Sequence, residues 1–272
     1  MFSLFNAVRY FLANNRFLCI CFLTFTFLNF QTIRVSAQSA ETNIPKDYSA
    51  DTSETRFEVG FAGGLAVNNF ITGQPHAGSN NGYTAGLSVN YKLPLGFSLQ
   101  LEANFLQQGG RMILFKDDTR FGLPESIETK NVTNSSYALN SIEIPVLVHY
   151  TFPVKQLWKP SIYIGGSYVN TFNVNETYQK TGDLLPGEDI IATVSGSRNS
   201  TANFKTSKIN FIVGANVKLP LTSRLQLLID MRYLNGLTPS RENYSYMDKI
   251  GFGSDIRANS FVSRIGILMP LK

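Results

Sequence analysis

Apolar and polar residues alternate strictly along the chain after residue 56, in eight separate runs. A period of two is typical of a β-strand whose two faces meet different surroundings. Each run is about 10 to 14 residues long, which suits a tilted strand that crosses a membrane better than the strands of soluble sheets. The eight predicted strands span residues 57–68, 83–92, 97–105, 141–152, 161–172, 209–218, 225–233 and 260–271.

Short and long connections alternate between these runs. The tight, proline-containing connections are residues 92–96, 153–159 and 219–224, and the long polar ones are residues 71–81, 112–136, 174–207 and 236–259. All short turns therefore fall at one end of the sheet, as do the periplasmic turns of outer-membrane barrels, and all long loops fall at the other. The pattern predicts an all-β fold, an eight-stranded antiparallel up-and-down transmembrane β-barrel.

The orientation of the two faces follows from volume. A soluble barrel of the lipocalin type, with its apolar face inward, is the alternative. Eight strands enclose an interior barely wide enough for side chains, so the Phe, Tyr, Leu, Ile and Val of one face would overfill it. The Gly, Ala, Ser, Asn and few charges of the other face fit. We therefore expect the bulky side chains to face lipid.

Aromatic residues collect at the ends of the runs, where a bilayer barrel carries two belts at the head-group levels. The belts are predicted at Tyr91, Phe97, Phe152 and Trp158 near the short turns, and at Phe70, Tyr83, Phe105, Phe172, Tyr233 and Phe261 near the long loops.

The first residues have the order of a secretory signal. Arg9 and Arg16 precede an apolar run from residue 17 to 30, and small residues follow at Ser36 and Ala37. The run is too short to cross a bilayer as a helix, which needs about 20 residues. We expect a signal peptide at residues 1–37, a periplasmic N-terminal lead at 38–55 and an outer-membrane barrel domain at 56–272.

Cysteine and charge support this division. Cys19 and Cys21 both lie in the predicted signal, so no disulfide is available to the exported chain. The signal also holds three arginines and no acid, and without it the chain is nearly neutral. A nucleic-acid partner therefore has no support. The predicted partners are outer-membrane lipid and, through the loops, other envelope or secretion proteins, and a monomer is expected.

The central hairpin resembles a known family. Residues 141–150 read SIEIPVLVHY and residues 160–168 read PSIYIGGSY, while Val59 to Gly64 and Tyr83 to Leu87 add further glycine-rich strand openings. These motifs resemble the small outer-membrane barrels of the Bacteroidota, the PorT-like family. The resemblance implies an outer-membrane barrel, and one branch of the family is linked to type IX protein secretion. Since proline removes a donor from the ladder, Pro145 predicts a β-bulge.

The inward positions carry a set of charges. Glu102 and Glu143 lie on the neighbouring third and fourth strands, Asp230 and Arg232 on the seventh, and Arg264 on the eighth. Those strand pairs face each other across an eight-stranded barrel, so Arg232 and Arg264 are predicted to reach Glu102 and Glu143. Buried charges need such partners. The cluster is interpreted as a polar plug, with a gate or a pair of acid–base carboxylates as the functional alternatives.

No enzyme site is predicted. His149 is an inward position without a serine tied to it by spacing, and it is interpreted as a satisfied interior histidine. No metal site and no cofactor are expected, because loop acids such as Asp117 and Asp118 are usually solvated. The predicted function is a non-enzymatic outer-membrane scaffold with long external loops. An accessory component of type IX secretion is one alternative, and a lipid-modifying enzyme is another.

Overall fold

The computed structural model describes residues 56–71, 77–115, 132–154, 157–183, 191–222, 224–241 and 255–271. The predicted signal peptide and the lead lie outside these residues. Within them the chain forms nine strands. They are β1 (Phe57–Ile71), β2 (Ala77–Lys92), β3 (Phe97–Phe115), β4 (Val132–Thr151), β5 (Lys159–Asp183), β6 (Ile191–Asn199), β7 (Ser207–Pro220), β8 (Gln226–Gly236) and β9 (Arg257–Leu271).

Eight of these strands close into an antiparallel barrel. Each barrel strand pairs with the next along the chain, β5 pairs with β7, and β9 returns to pair with β1. The predicted eight-stranded up-and-down barrel is therefore confirmed. Closure gives every strand two hydrogen-bonding neighbours, which lipid cannot replace. No helix within the described ranges is long and apolar enough to cross a membrane.

β6 is the strand that the sequence pattern did not predict. It pairs with the outer half of β5, from Asn175↔Asn199 to Asp183↔Ile191. The same half of β5 pairs on its other side with β4, from Val132↔Thr181 onward. Large parts of the predicted loops 112–136 and 174–207 are therefore strand. The prediction missed them because the polar residues of this hairpin lack the apolar–polar contrast that a lipid-facing strand shows.

The bulge predicted at Pro145 is wrong. The register between β3 and β4 is the same on both sides of Pro145, where the pairs are Leu101↔Val146 and Asn104↔Glu143. Only the pairs between these two are missing. The missing proline donor interrupts the ladder with β3 without shifting it. The register shift of β4 lies instead against β5, between Asn140 and Ser141.

The two faces are oriented as the volume argument predicts. Outward side chains such as Leu65 and Ile265 are 73% and 65% exposed, whereas the inward Glu102 and Arg232 are 2% and 3% exposed. Outward aromatics contact each other near both ends, as in Tyr83–Phe105 at 5.4 Å between ring centroids and Phe97–Tyr150 at 5.1 Å.

Phe70 does not belong to the outer belt. It occupies an inward position of β1, is 1% exposed, and packs in the interior against Tyr137 and Phe204. Even-numbered residues of β1 point inward, and Phe70 is one of them. The prediction assigned Phe70 to the belt because it lies at the end of the run, and did not consider which face of the strand it occupies.

The interior also holds more bulk than expected. Apolar side chains form layers between the polar ones, which corrects the expectation of small and charged residues alone. One layer comprises Ala66, Leu106, Leu147, Tyr163, Ile212, Leu234 and Val262. A second, nearer the long-loop end, comprises Phe70, Met112, Tyr137, Leu139, Val174, Phe204, Ile256 and Ala258.

Candidate functional site

Four charged side chains meet in the middle of the barrel. Arg232 donates to both carboxylate oxygens of Glu102 at 2.9 Å, and Arg264 donates to the same two oxygens at 3.0 and 3.1 Å. Asp230 accepts from Nε of Arg264 at 2.8 Å and from Nε of Arg232 at 3.1 Å. We call Glu102, Asp230, Arg232 and Arg264 the central cluster. Two positive and two negative charges balance in it.

The strand registers bring the central cluster together. Asp230 on β8 pairs directly with Arg264 on β9, and Arg232 is the next inward residue of β8. Glu102 comes from β3 on the opposite wall. Inward positions of β1 and β2 include Gly64 and Gly86, where an added Cβ atom would meet the backbone of the neighbouring strand.

Glu143 stands apart from this network. The expectation that the arginines divide between Glu102 and Glu143 is wrong, since both bind Glu102. Ser167 donates to the Glu143 carboxylate at 2.6 Å. Glu143 pairs with Asn104 and so lies one inward position further along the barrel than Glu102. It lines, with Arg232 and Arg264, a void too small to admit a water molecule.

Tyr163 completes the cluster, and sequence reasoning missed it. Its hydroxyl donates to Asp230 at 2.5 Å and accepts from Nε of Arg232 at 3.1 Å. Its ring centroid lies 5.3 Å from the Arg232 guanidinium carbon. Tyr163 is two positions after the inward Ser161, so strand alternation alone places it inside. The prediction for this strand named only its apolar outward residues, Ile162 and Ile164 among them.

His149 on β4 pairs directly with Tyr163 on β5. The two rings stack with centroids 4.5 Å apart. One ring nitrogen, Nδ1, lies 3.5 Å from the amide nitrogen of Asn216, while Nε2 has no hydrogen-bond partner among the described residues. The residue is interior, as predicted, but only one of its nitrogens has a neighbour at hydrogen-bond distance.

Further polar contacts lie above and below the central cluster. Toward the short turns, Glu58 binds Lys92 at 2.7 Å and Lys218 at 2.8 Å. Toward the long loops, the ammonium of Lys208 lies 3.4 Å from Gln108 and is buried between the two apolar layers. The interior thus alternates polar and apolar layers along the barrel axis.

Every carboxylate oxygen of the central cluster accepts at least one hydrogen bond. The oxygens of Glu102 are each shared by two guanidinium donors, and Asp230 accepts from Tyr163 and both arginines. Among the described residues, no group of three His, Cys, Asp or Glu side chains could hold a metal ion.

A second ion pair lies beyond the aromatic belt, in the long-loop hairpin. Glu176 on β5 accepts from Nε of Arg198 on β6 at 2.7 Å, from Ser200 at 2.6 Å and from Ser135 at 2.8 Å. Burial raises the pKa of Glu176, but these hydrogen bonds outweigh burial and hold the pKa below its ordinary value. The ionised carboxylate therefore ties β4, β5 and β6 together.

This pKa predicts how the hairpin responds to acid. A depressed folded-state pKa adds stability above the ordinary glutamate value of about 4.3, and that stability is lost as pH falls through the folded-state value. We expect the side-chain NMR signals of Val174 and Tyr137, which pack beside Glu176, to broaden when the pH falls from 7 to below about 4. The Glu176→Gln variant should show no such transition. An equal transition in the variant would contradict the assignment to Glu176.

Comparison with known proteins identifies the fold family. The family model described as outer membrane protein beta-barrel domain matches residues 36–242, well over half of the chain. No curated protein sequence matches the chain.

Solved outer-membrane proteins resemble the chain at low identity. Neisserial surface protein A is 15% identical, with a TM-score of 0.38 over 79% of this chain and 97% of that chain. OprG from Pseudomonas aeruginosa is 11% identical, with a TM-score of 0.40 over 78% of this chain and 94% of that chain. The outer membrane protease OmpT from Escherichia coli is 8% identical, with a TM-score of 0.44 over 79% of this chain and 96% of that chain. These similarities are too remote to carry an activity from one protein to another.

Proposed function

Since the chain belongs to the outer membrane protein beta-barrel domain family and lies in the outer membrane, we propose that it is a closed, non-enzymatic scaffold. In this proposal the barrel acts as a monomer and carries an extracellular sheet for contacts at the cell surface. The observation that carries the proposal is the filled interior. The central cluster and two apolar layers occupy successive levels of the barrel.

The filling argues against a channel. Polar solutes cross a barrel only where the interior is wide and wet, and eight strands leave little more room than side chains need. Here Leu147, Ile212 and Leu234 are fully buried directly beside the charges. Opening a path would require moving an apolar layer as well as breaking the ion pairs.

The long-loop end of the barrel supports the second part of the proposal, because this end faces the cell exterior in barrels of this kind. β3, β4 and β5 run beyond the aromatic belt, and β6 extends their sheet. Binding surfaces are often irregular segments placed on a rigid support. The extended sheet supplies that support for the external loops.

Conductance in a planar bilayer tests the closed barrel. The matched variant removes all four cluster charges at nearly constant volume, as Glu102→Gln, Asp230→Asn, Arg232→Met and Arg264→Met, a change that buried ion networks often tolerate. We expect neither the wild-type protein nor this variant to show steady ion conductance, because the apolar layers remain. Replacing the exposed Arg224 and Arg257 with alanine is the control.

Two outcomes would contradict the scaffold proposal. Steady conductance of the wild-type protein would make it a pore. Conductance of the charge-free variant alone, with normal heat stability and a silent control, would make the central cluster a gate.

The motifs at residues 141–150 and 160–168 support a second proposal, an accessory role in type IX protein secretion. Its support is the resemblance to PorT-like barrels. Deleting the gene and measuring the secreted proteins distinguishes the two roles. Loss of secretion with an intact envelope favours the accessory role, and normal secretion with altered surface contacts favours the scaffold.

A further inference from the structure

The outward face of the barrel changes its chemistry above the aromatic belt. Below the change, Tyr83, Phe105 and Phe172 point toward lipid and contact one another. Above it, the described outward positions of β4, β5 and β6 carry neutral hydrogen-bonding side chains, with Ala138 as the exception. We define this polar outer face by six residues: Asn134, Ser136, Thr177, Gln179, Ser195 and Ser197.

These six residues form a regular grid. Ser136, Thr177 and Ser197 lie side by side in one row across the three strands, and Asn134, Gln179 and Ser195 form the next row outward. Neighbouring strands are about 4.8 Å apart, so each row spans roughly 10 Å. All but Ser136, which is half-buried, are exposed. The grid is a flat surface of amides and hydroxyls fixed by the strand ladder.

The height of the grid places it in the head-group layer. Thr177 follows the belt residue Phe172 on β5 by roughly 17 Å of strand, at about 3.4 Å per residue. The outer leaflet of an outer membrane consists of glycolipids, so the molecules beside the grid at this height are saccharides. The grid faces sideways toward them, because it continues the lipid-facing side of the same strands.

The chemistry of the grid matches sugars rather than phosphates. Serine and threonine hydroxyls and asparagine and glutamine amides both donate and accept, as sugar hydroxyls do. None of the six residues is charged, and the ion pair of Glu176 and Arg198 occupies the opposite face of the hairpin. A site for anionic groups would need cations on the outward face.

A protein partner fits this face poorly. Protein interfaces have a core enriched in aromatic residues, methionine and arginine, and most of their binding energy comes from such anchors. The six side chains include neither an aromatic nor a large apolar residue.

We propose that the polar outer face binds the saccharide chains of the surrounding outer-leaflet glycolipids. The proposal depends on the outer-membrane location and not on the absence of a pore, so its failure would leave the closed scaffold untouched. In this proposal the extended parts of β4, β5 and β6 contact the saccharides of glycolipids that lie beside the barrel.

The test compares three bilayers in nanodiscs: glycolipid with its core saccharide, lipid A, which keeps the phosphorylated diglucosamine head group but lacks the core saccharide, and phospholipid alone. We expect the side-chain amide NMR signals of Asn134 and Gln179 to shift only in the first. Native mass spectrometry then counts the glycolipid retained by the double variant Thr177→Ala and Ser197→Ala. Retention should fall at least about fivefold, because two hydrogen-bonding groups are lost.

A matched control replaces Asn203 and Thr206 with alanine, since both are exposed but lie on the connection after β6. It should retain glycolipid as the wild-type protein does. Equal signal shifts with lipid A would assign the contact to the phosphorylated head group instead of the core saccharide chain and overturn the proposal. So would an absence of shifts, or an equal loss of glycolipid in both double variants.

Discussion

Replacing Glu102 with glutamine is expected to destabilise the barrel by about 3 to 5 kcal/mol, since it removes one partner of a buried charge network. Glu102 is the shared acceptor of Arg232 and Arg264, and the two arginines would then face one carboxylate, Asp230. The neutral amide can accept hydrogen bonds but cannot balance the second positive charge. The midpoint of urea-induced unfolding in phospholipid vesicles measures the loss.

A second substitution in the same background separates charge balance from lost contacts. Glu102→Gln combined with Arg264→Met leaves one arginine beside one aspartate, so the net charge of the central cluster is zero again. We expect the double variant to be more stable than Glu102→Gln alone, with a coupling of about 1 to 3 kcal/mol. If Arg264→Met lowered the unfolding free energy further in the Glu102→Gln background, charge balance would not be what stabilises the central cluster.

Replacing Gly64 with alanine is expected to cost about 3 kcal/mol or more, at the upper end of what overpacking costs in a protein interior. Its Cβ would meet the backbone carbonyl oxygen of Ser263 and would lie 2.6 Å from the Cα atom of Arg264. These are main-chain atoms of the neighbouring strand, so they can move only if β1 and β9 separate. The displaced Arg264 would also pull on the central cluster.

The adjacent Gly63 provides a matched control. It points outward, and an added Cβ would find its nearest neighbour, the carbonyl oxygen of Thr84, at an ordinary 3.5 Å. Neither glycine has a positive φ, so the two substitutions differ in contacts and not in backbone strain. Gly63→Ala should change the unfolding free energy by no more than about 0.5 kcal/mol. Equal losses in both variants would show that strand flexibility, and not the closeness of β9, requires the glycine pair.

The barrel could be predicted from sequence because two unlike surroundings impose a period of two. Each strand that separates lipid from the packed interior must alternate, and Ile142, Glu143 and Ile144 show this directly. Beyond the membrane the contrast disappears. Thr177 and Ser197 are polar residues on the exposed outward face, so the hairpin of β5 and β6 resembles a loop in sequence.

The central cluster was predictable in its members but not in its pairing. Parity along each strand places Glu102, Arg232 and Arg264 inside, and the closed strand order places them on opposite walls. Both arginines bind Glu102 and not Glu143 because the register between β3 and β4 places the two glutamates at different levels along the barrel axis. That register cannot be read from the sequence of either strand alone. Tyr163 shows the same limit, since its role arises only when β5 stands across from β8.

The closing seam has a consequence for how the protein is made. β1 and β9 pair along fifteen positions, from Phe57↔Leu271 to Ile71↔Arg257, which join nearly opposite ends of the described chain. Until β9 is in place, β1 has an unmatched ladder on one side, and lipid offers that ladder nothing to bond with. We therefore expect a chain cut short before β9 to fail to close in lipid and not to form a smaller barrel.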